Sequence, residues 1–217
     1  MNTGHDELTK PGLLAALLLL TLVQPVHVRA QDRLPPIPPE RMTDAQKKAA
    51  AEYKDARKAE PAGPPWSVIM RVPDLLMPSL QMRLHNQTNS ALSAKLTEFA
   101  ILIAARNWTS NFEWNAHHTA AAAAGLSPAI ITAVGDGRRP ERMAEDEEII
   151  YNFCDELLSN QSVSDPTYAR ALAKFGESGI VEAASLVGYY TYLSMLMNTA
   201  RSPLPADAKP LLSPFPK

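Results

Sequence analysis

Apolar residues recur three and four apart through most of this chain, and no stretch alternates apolar and polar residues between turn signals as a strand would. The pattern predicts an all-α protein. Thr43 and Gln46 form a capping-box signature ahead of DAQKKAAAEYKDARKA, which opens a surface helix over about 44–59 and stops before Pro61. After PAGPPW, residues 67–88 keep helical spacing but are cut by Pro73 and Pro78, which predicts short helices. Leu92 to Ala105 is apolar nearly all round, the mark of a helix buried on most sides and therefore of the domain's centre. Ser110 can cap a helix over 111–124, with Gly125 able to take the left-handed position that follows. The block Ala120 to Ala124 reads as a tight packing face. A short helix and a loop follow over 127–140, then a helix over 145–160 with acids in its first turn. Ser164, Asp165 and Pro166 open a helix to residue 176, and a long, mostly apolar one covers 177–200.

The two ends break this pattern. Polar MNTGHDELTK, an apolar run from Leu13 to Val23, and small residues at Val28 and Ala30 outline a secretory signal peptide cleaved after Ala30. The apolar run falls short of the roughly 20 residues that span a bilayer. Asp6 and Glu7 offset Lys10, so an uncleaved anchor is the alternative reading. Cleavage leaves 187 of the 217 residues, enough for one domain, without a stable membrane span, in a secreted or periplasmic location. Residues 31–42 are a proline-rich linker or arm in extended geometry that need not pack, 43–206 form the helical domain, and 207–217 form an irregular tail.

Composition narrows the partners. Twenty-one Lys and Arg are interspersed with twenty-three Asp and Glu, and the net charge is −2, so nucleic acid is not expected as a partner. Cys154, the single cysteine, stands among apolar residues at helical spacing and reads as a buried small hydrophobe; no intramolecular disulfide can form. The last helix is apolar on more faces than a monomer of this size can cover, with Tyr189, Tyr190 and Tyr192 along it, which predicts a homo-oligomer. Asn86-Gln87-Thr88, Asn107-Trp108-Thr109 and Asn160-Gln161-Ser162 are sequons, relevant only where exported proteins are glycosylated.

Candidate chemistry gathers around FEWNAHH. Glu113 and His117 are four apart on one helix face, as are Trp114 and His118 one position round. A carboxylate beside an imidazole fixes its tautomer and raises its basicity, as general acid/base work requires. Glu98 lies inside an apolar helix, where an ionised carboxylate needs a partner, and a hairpin between the two helices would bring it toward Ser110, Glu113 and His117. Arg106 is the nearest cation, and either binds a substrate carboxylate or pairs with Glu98. Glu–His pairs at this spacing also occur on ordinary solvated helix faces. Glu113 and His117 could supply two metal ligands, but no second His or Cys pair completes a shell, so no metal and no cofactor is expected. There is no phosphate-binding glycine loop, nucleophile elbow or CxxC.

The stretch LTEFAILIAARNWTSNFEWNAHHTAAAAAGLS, followed by VGDGRRP, VSDPTYARAL and LVGYYTYLSMLMNTARSPLP, resembles the carboxymuconolactone decarboxylase family, which includes the alkyl hydroperoxidase AhpD. The resemblance spans roughly residues 63 to 206, with Glu98, the Trp114 region, His117, Gly125 and Gly188-Tyr189-Tyr190 in one order. It implies an AhpD-like all-helical fold assembled as trimers or hexamers. The peroxidase branch carries a glutamate, a CxxC pair and a histidine; Glu98 and His117 match the ends, while Ser110 and Glu113 occupy the cysteine positions. Thiol peroxidase chemistry needs two thiols, which this chain lacks. The decarboxylase branch also lacks the pair. It implies decarboxylation or related proton transfer on a small carboxylated, unsaturated or lactone substrate, with His117 as acid/base, Glu113 orienting it, Glu98 in the relay and Ser110 as a fourth catalytic residue. Arg106 or Arg71 would then hold the substrate carboxylate, with Trp114, His118 and Tyr189 lining the site. A non-catalytic helical oligomer that binds a ligand is the alternative.

Overall fold

The structure, a computed structural model, describes Met1 and residues 32–214; the signal-peptide reading lies outside these residues. Among the described residues there are eight α-helices and no strand: α1 (Asp44–Arg57), α2 (Trp66–Ile69), α3 (Leu76–Thr88), α4 (Ala94–Asn107), α5 (Asn111–Ala123), α6 (Pro128–Gly135), α7 (Glu145–Asn160) and α8 (Asp165–Ala200). Helix α1 begins where its capping box dictates. Thr43 Oγ1 accepts from the Gln46 N–H at 3.2 Å while Gln46 Oε1 accepts from the Thr43 N–H at 3.0 Å, so two donors that the first turn leaves unpaired are satisfied reciprocally. Pro73 opens a short 3-10 turn, and Pro78 sits in the first turn of α3, where a missing N–H breaks no helical bond.

Helix α4 is the centre. Phe99, Ala100, Leu102, Ala104 and Ala105 have no exposed surface, and the helix packs against α5, α6, α7 and α8. A helix enclosed on so many sides must be apolar nearly all round, as its sequence is. Helix α8 breaks at Gly176, whose φ of 68° no helix tolerates, so two helical segments meet there at the position the sequence predicts. Helix α8 is long and apolar enough to cross a membrane by length and composition, but its buried side belongs to the domain's own core.

Helix α5 ends in a Schellman motif. The Gly125 N–H donates to Ala122 O and the Leu126 N–H to Ala121 O, with Gly125 at φ 95°. The preceding alanine block is not the packing face the sequence suggests. Only Ala121 is buried, and Ala122 and Ala123 face outward, because the stripe of α5 directed at the core is Glu113, His117 and Ala121.

At both ends of the described segment, residues 32–42 and 207–214 lie on the domain. The Arg33 N–H donates to Ala200 O at 2.8 Å, Arg71 Nη2 donates to Pro35 O at 2.7 Å, and Ile37 and Met42 pack against the core. Of the two readings of the proline-rich segment, these contacts fit the arm. Its prolines supply apolar surface and carbonyls but no N–H, so one arginine and a few apolar contacts suffice to seat it. Near the other end, Leu212 is buried and Asn111 Oδ1 accepts from the Leu211 and Leu212 N–H groups, each at 2.9 Å.

Cys154 is wholly buried, and burial pushes its thiol far above the usual range. We expect a thiol reagent to leave the native protein unlabelled and to react only as denaturant unfolds it; rapid labelling in buffer would contradict this packing.

Candidate active site

The site depends on a very short turn. Helix α4 closes with its own Schellman pattern, the Thr109 N–H on Arg106 O and the Ser110 N–H on Ala105 O, with Thr109 in the left-handed region at φ 46°. A β-branched residue is strained there. Ser110 then immediately caps α5, its Oγ accepting from the Glu113 N–H at 3.5 Å. The two helices fold back as a hairpin, and the carboxylate of Glu98 meets the ring of His117 across it.

Glu98 Oε2 lies 2.8 Å from His117 Nδ1. With its proton on Nδ1, the ring donates to Glu98 and turns Nε2 toward Glu113, whose Oε2 is 3.8 Å away. That separation is too long for a hydrogen bond. The partner that orients His117 is therefore Glu98 and not Glu113. Glu113 and His117 leave one helix a turn apart with nearly parallel side chains, whereas Glu98 approaches from the facing helix. Tyr190 from α8 closes the ring's far side, its own ring edge-on to the imidazole at 5.0 Å between centroids.

Glu113 is 3% exposed, and its Oε1 has no hydrogen-bond partner. Burial pushes its carboxyl up to about 7, against the opposing pull of His117 and then Arg83. Glu98 differs. Its side chain is 19% exposed and borders an open cavity of about 290 Å³ together with Asn86, Ser90, Thr97, Ile101 and Tyr190. Two carboxylates thus flank one imidazole, one reaching a solvent cavity and the other sealed in the core. Chemically, such an arrangement could hold or pass a proton.

The remaining expected site residues lie elsewhere. Tyr189 is buried and donates its hydroxyl to Ser79 O at 3.0 Å, facing α3. Its neighbour Tyr190 takes the cavity position, because adjacent residues on a helix point about 100° apart. Trp114 is core: a Cβ on Gly135 would sit 3.0 Å from its ring. His118 places Nδ1 3.0 Å from Trp114 O on its own helix. Arg106 is buried, donates to Ser213 O at 2.6 Å, and lines a different cavity with Arg138 and Tyr151. Arg71 donates to Ser67 O and Pro35 O, holding the arm. Neither arginine lines the cavity beside Glu98.

Sequence reasoning missed Arg83, Asn86 and Thr97. Arg83 lies over Trp66, 5.8 Å from its ring centroid, and its charge acts on Glu113 and Tyr190. Thr97 carried a signal, being a polar residue in the same apolar helix as Glu98; Asn86 and Arg83 sit in an amphipathic helix and carried none. Among the described residues, no group of three His, Cys, Asp or Glu side chains is arranged to hold a metal ion.

Replacing Ser110 by Ala should destabilise the fold by about 1 kcal/mol, the usual cost of a lost N-cap, while any turnover per folded molecule is kept. Loss of turnover without loss of stability would instead make the hydroxyl a reacting group; denaturant titration alongside an activity assay separates the two. No protein-family model, curated protein or solved structure matches the chain.

Proposed function

We propose that this protein is an exported enzyme of carboxymuconolactone decarboxylase type, AhpD-like in fold but without the thiol pair. It carries out decarboxylation or a related proton transfer on a small carboxylated, unsaturated or lactone substrate. The observation that carries this reading is the 2.8 Å contact between Glu98 and His117 at the edge of an open cavity, with Glu113 on the side of the ring's other nitrogen. Glu98 is the group that meets the substrate, His117 holds and relays the proton, and Glu113 is the buried end of the relay. Peroxidase chemistry is disfavoured by the chain's own groups. Ser110 is fully buried as a helix cap, Glu113 is sealed in the core, and the lone thiol of Cys154 lies in the core as well.

The experiment is incubation of the purified protein in D2O with a panel of lactone acids, unsaturated acids and keto acids. Deuterium gain at carbon or release of carbon dioxide supports the reading. Inertness toward the whole panel, with the fold intact, removes it in favour of a binding protein.

Assembly belongs to the same proposal. Val181, Ser185, Gly188 and Met195 are exposed along α8 at heptad-like spacing, with open space over Gly188. Such a seam suits a second helix at close range. Light scattering should show a trimer or hexamer, and arginine at both Val181 and Met195 should dissociate it; a wild-type monomer would end this part of the proposal.

A further inference from the structure

A cavity of about 440 Å³ lies between the proline-rich arm, α1, the bend that follows it and α2. It shares no lining residue with the cavity beside Glu98, so its occupant is independent of the proton-transfer reading. Ile37 and Met42 of the arm, Ala50 of α1, Pro61 of the bend and Met70 of α2 give it apolar walls from four separate segments. Ile37 and Met42, although packed against the core, are only half-buried, because each also faces the cavity. Water finds few polar partners in such a space, which favours an apolar occupant. Concave, mostly apolar walls around a volume of this order are those of a small-molecule site.

The lining also selects by charge. It holds no Lys or Arg, and its one ionisable group, Glu60, is exposed and paired with Lys54 of α1. An anion would meet a negative charge and no counter-ion, and a cation would compete with Lys54 for Glu60. An uncharged apolar molecule meets neither cost and gains with each apolar contact. Pro61 and Met70 are buried, so this apolar surface is recessed, whereas a bilayer is met by apolar residues that protrude. The geometry points to a binding site for an uncharged, predominantly apolar small molecule, taken from solution and held between the arm and the helical domain.

The arm supplies a whole wall, so occupancy and arm docking form one equilibrium. Few bonds seat the arm. Arg71 donates to Pro35 O and to Ser67 O, and the Arg33 N–H donates to Ala200 O. A ligand that touches both sides of the cavity holds the arm down, and by linkage a loosened arm binds the ligand less tightly.

The test titrates the intact protein with N-phenyl-1-naphthylamine, an uncharged compound that fluoresces in apolar surroundings, and with its sulfonate relative 8-anilinonaphthalene-1-sulfonate. The uncharged compound should bind saturably and at least tenfold more tightly than the sulfonate, which carries a charge into a lining without a counter-ion. Trypsin cleavage after Arg41, exposed in the arm, should slow when it is bound. Ala62→Trp, at an exposed position of the lining, and Ala50→Trp, on α1, each put an indole into the space and should lower binding at least tenfold, with Tm kept in Ala62→Trp. Arg71→Gln should weaken binding by roughly threefold to tenfold and speed the cleavage after Arg41, as a loosened wall requires. Equal binding of the two compounds, binding that survives both tryptophans, or no saturable binding overturns the proposal. So does flotation of the protein with phosphatidylcholine vesicles that either tryptophan prevents, which would assign the cavity to a membrane. Loss of binding as protein concentration rises would assign it to a second copy and overturns the proposal as well.

Discussion

Glu98→Gln and His117→Gln should each lower turnover by roughly 10²- to 10⁴-fold, the range that positioned acid/base groups contribute, with the far-UV circular dichroism of a folded helical protein retained. Glu98 is the only carboxylate of the triad that borders the cavity, and its Oε2 bonds His117 Nδ1 at 2.8 Å. An amide in place of the Glu98 carboxylate preserves the shape and the contact with the ring but cannot take a proton. The amide introduced by His117→Gln would still be able to donate to Glu98, so loss of activity in that variant isolates proton relay from orientation. On the proposed relay the two groups act as one unit, so the double variant should be no slower than the worse single variant, as coupled catalytic residues behave. Multiplying losses in the double variant would mean that the residues act separately, and unchanged turnover in either single variant would remove the mechanism.

Stability should fall as pH rises from about 4.5 to above 7, and Glu113→Gln should abolish most of that fall. Burial pushes the Glu113 carboxyl up to about 7 in the folded protein from an ordinary 4.5. Between these values the folded state holds a proton that the unfolded chain has released, so raising pH favours unfolding. The contribution is fully present below pH 4.5 and is lost as pH passes through about 7. At 1.36 kcal/mol per unit, the span corresponds to about 3 kcal/mol. Glutamine keeps the volume and carries no charge at any pH, so the variant should be more stable than the parent at about pH 8 and similar to it at about pH 5. Thermal melts across this range decide the matter; parallel pH profiles for parent and variant would show that Glu113 is not a protonated core group. The same experiment bears on function, since a carboxyl that changes charge near neutrality one turn from His117 should also shape the pH dependence of turnover.

Much of this was legible beforehand, for identifiable reasons. The capping box at Thr43, the Ser110 cap, the Gly125 terminus and the break at Gly176 are encoded within four or five consecutive residues, because local hydrogen bonding and φ preference decide them. Glu98 was exposed as a candidate by its apolar surroundings, and the Glu113–His117 pair by helical spacing. What local sequence does not encode is which side of a helix meets which neighbour. Tyr189 and Tyr190 are adjacent and identical in type, and only the packing of α8 against α3 and α5 turns one hydroxyl to Ser79 and the other ring to His117. Arg106 and Arg71 looked like substrate cations because charge was visible and direction was not; the tail and the arm claim them.

The sequence by itself therefore determined the helices, their ends and which titratable groups stand among apolar residues, since these follow from period, capping and the cost of burying charge. The tertiary structure decided the rest. It chose Glu98 over Glu113 as the partner of His117, sealed Glu113 while leaving Glu98 at a cavity, and set Asn86 and Thr97 beside it with their polar atoms unmet. Each of those outcomes depends on contacts between residues far apart in the chain, where a rotation of one helix by a single residue position, about 100°, would exchange one side chain for another.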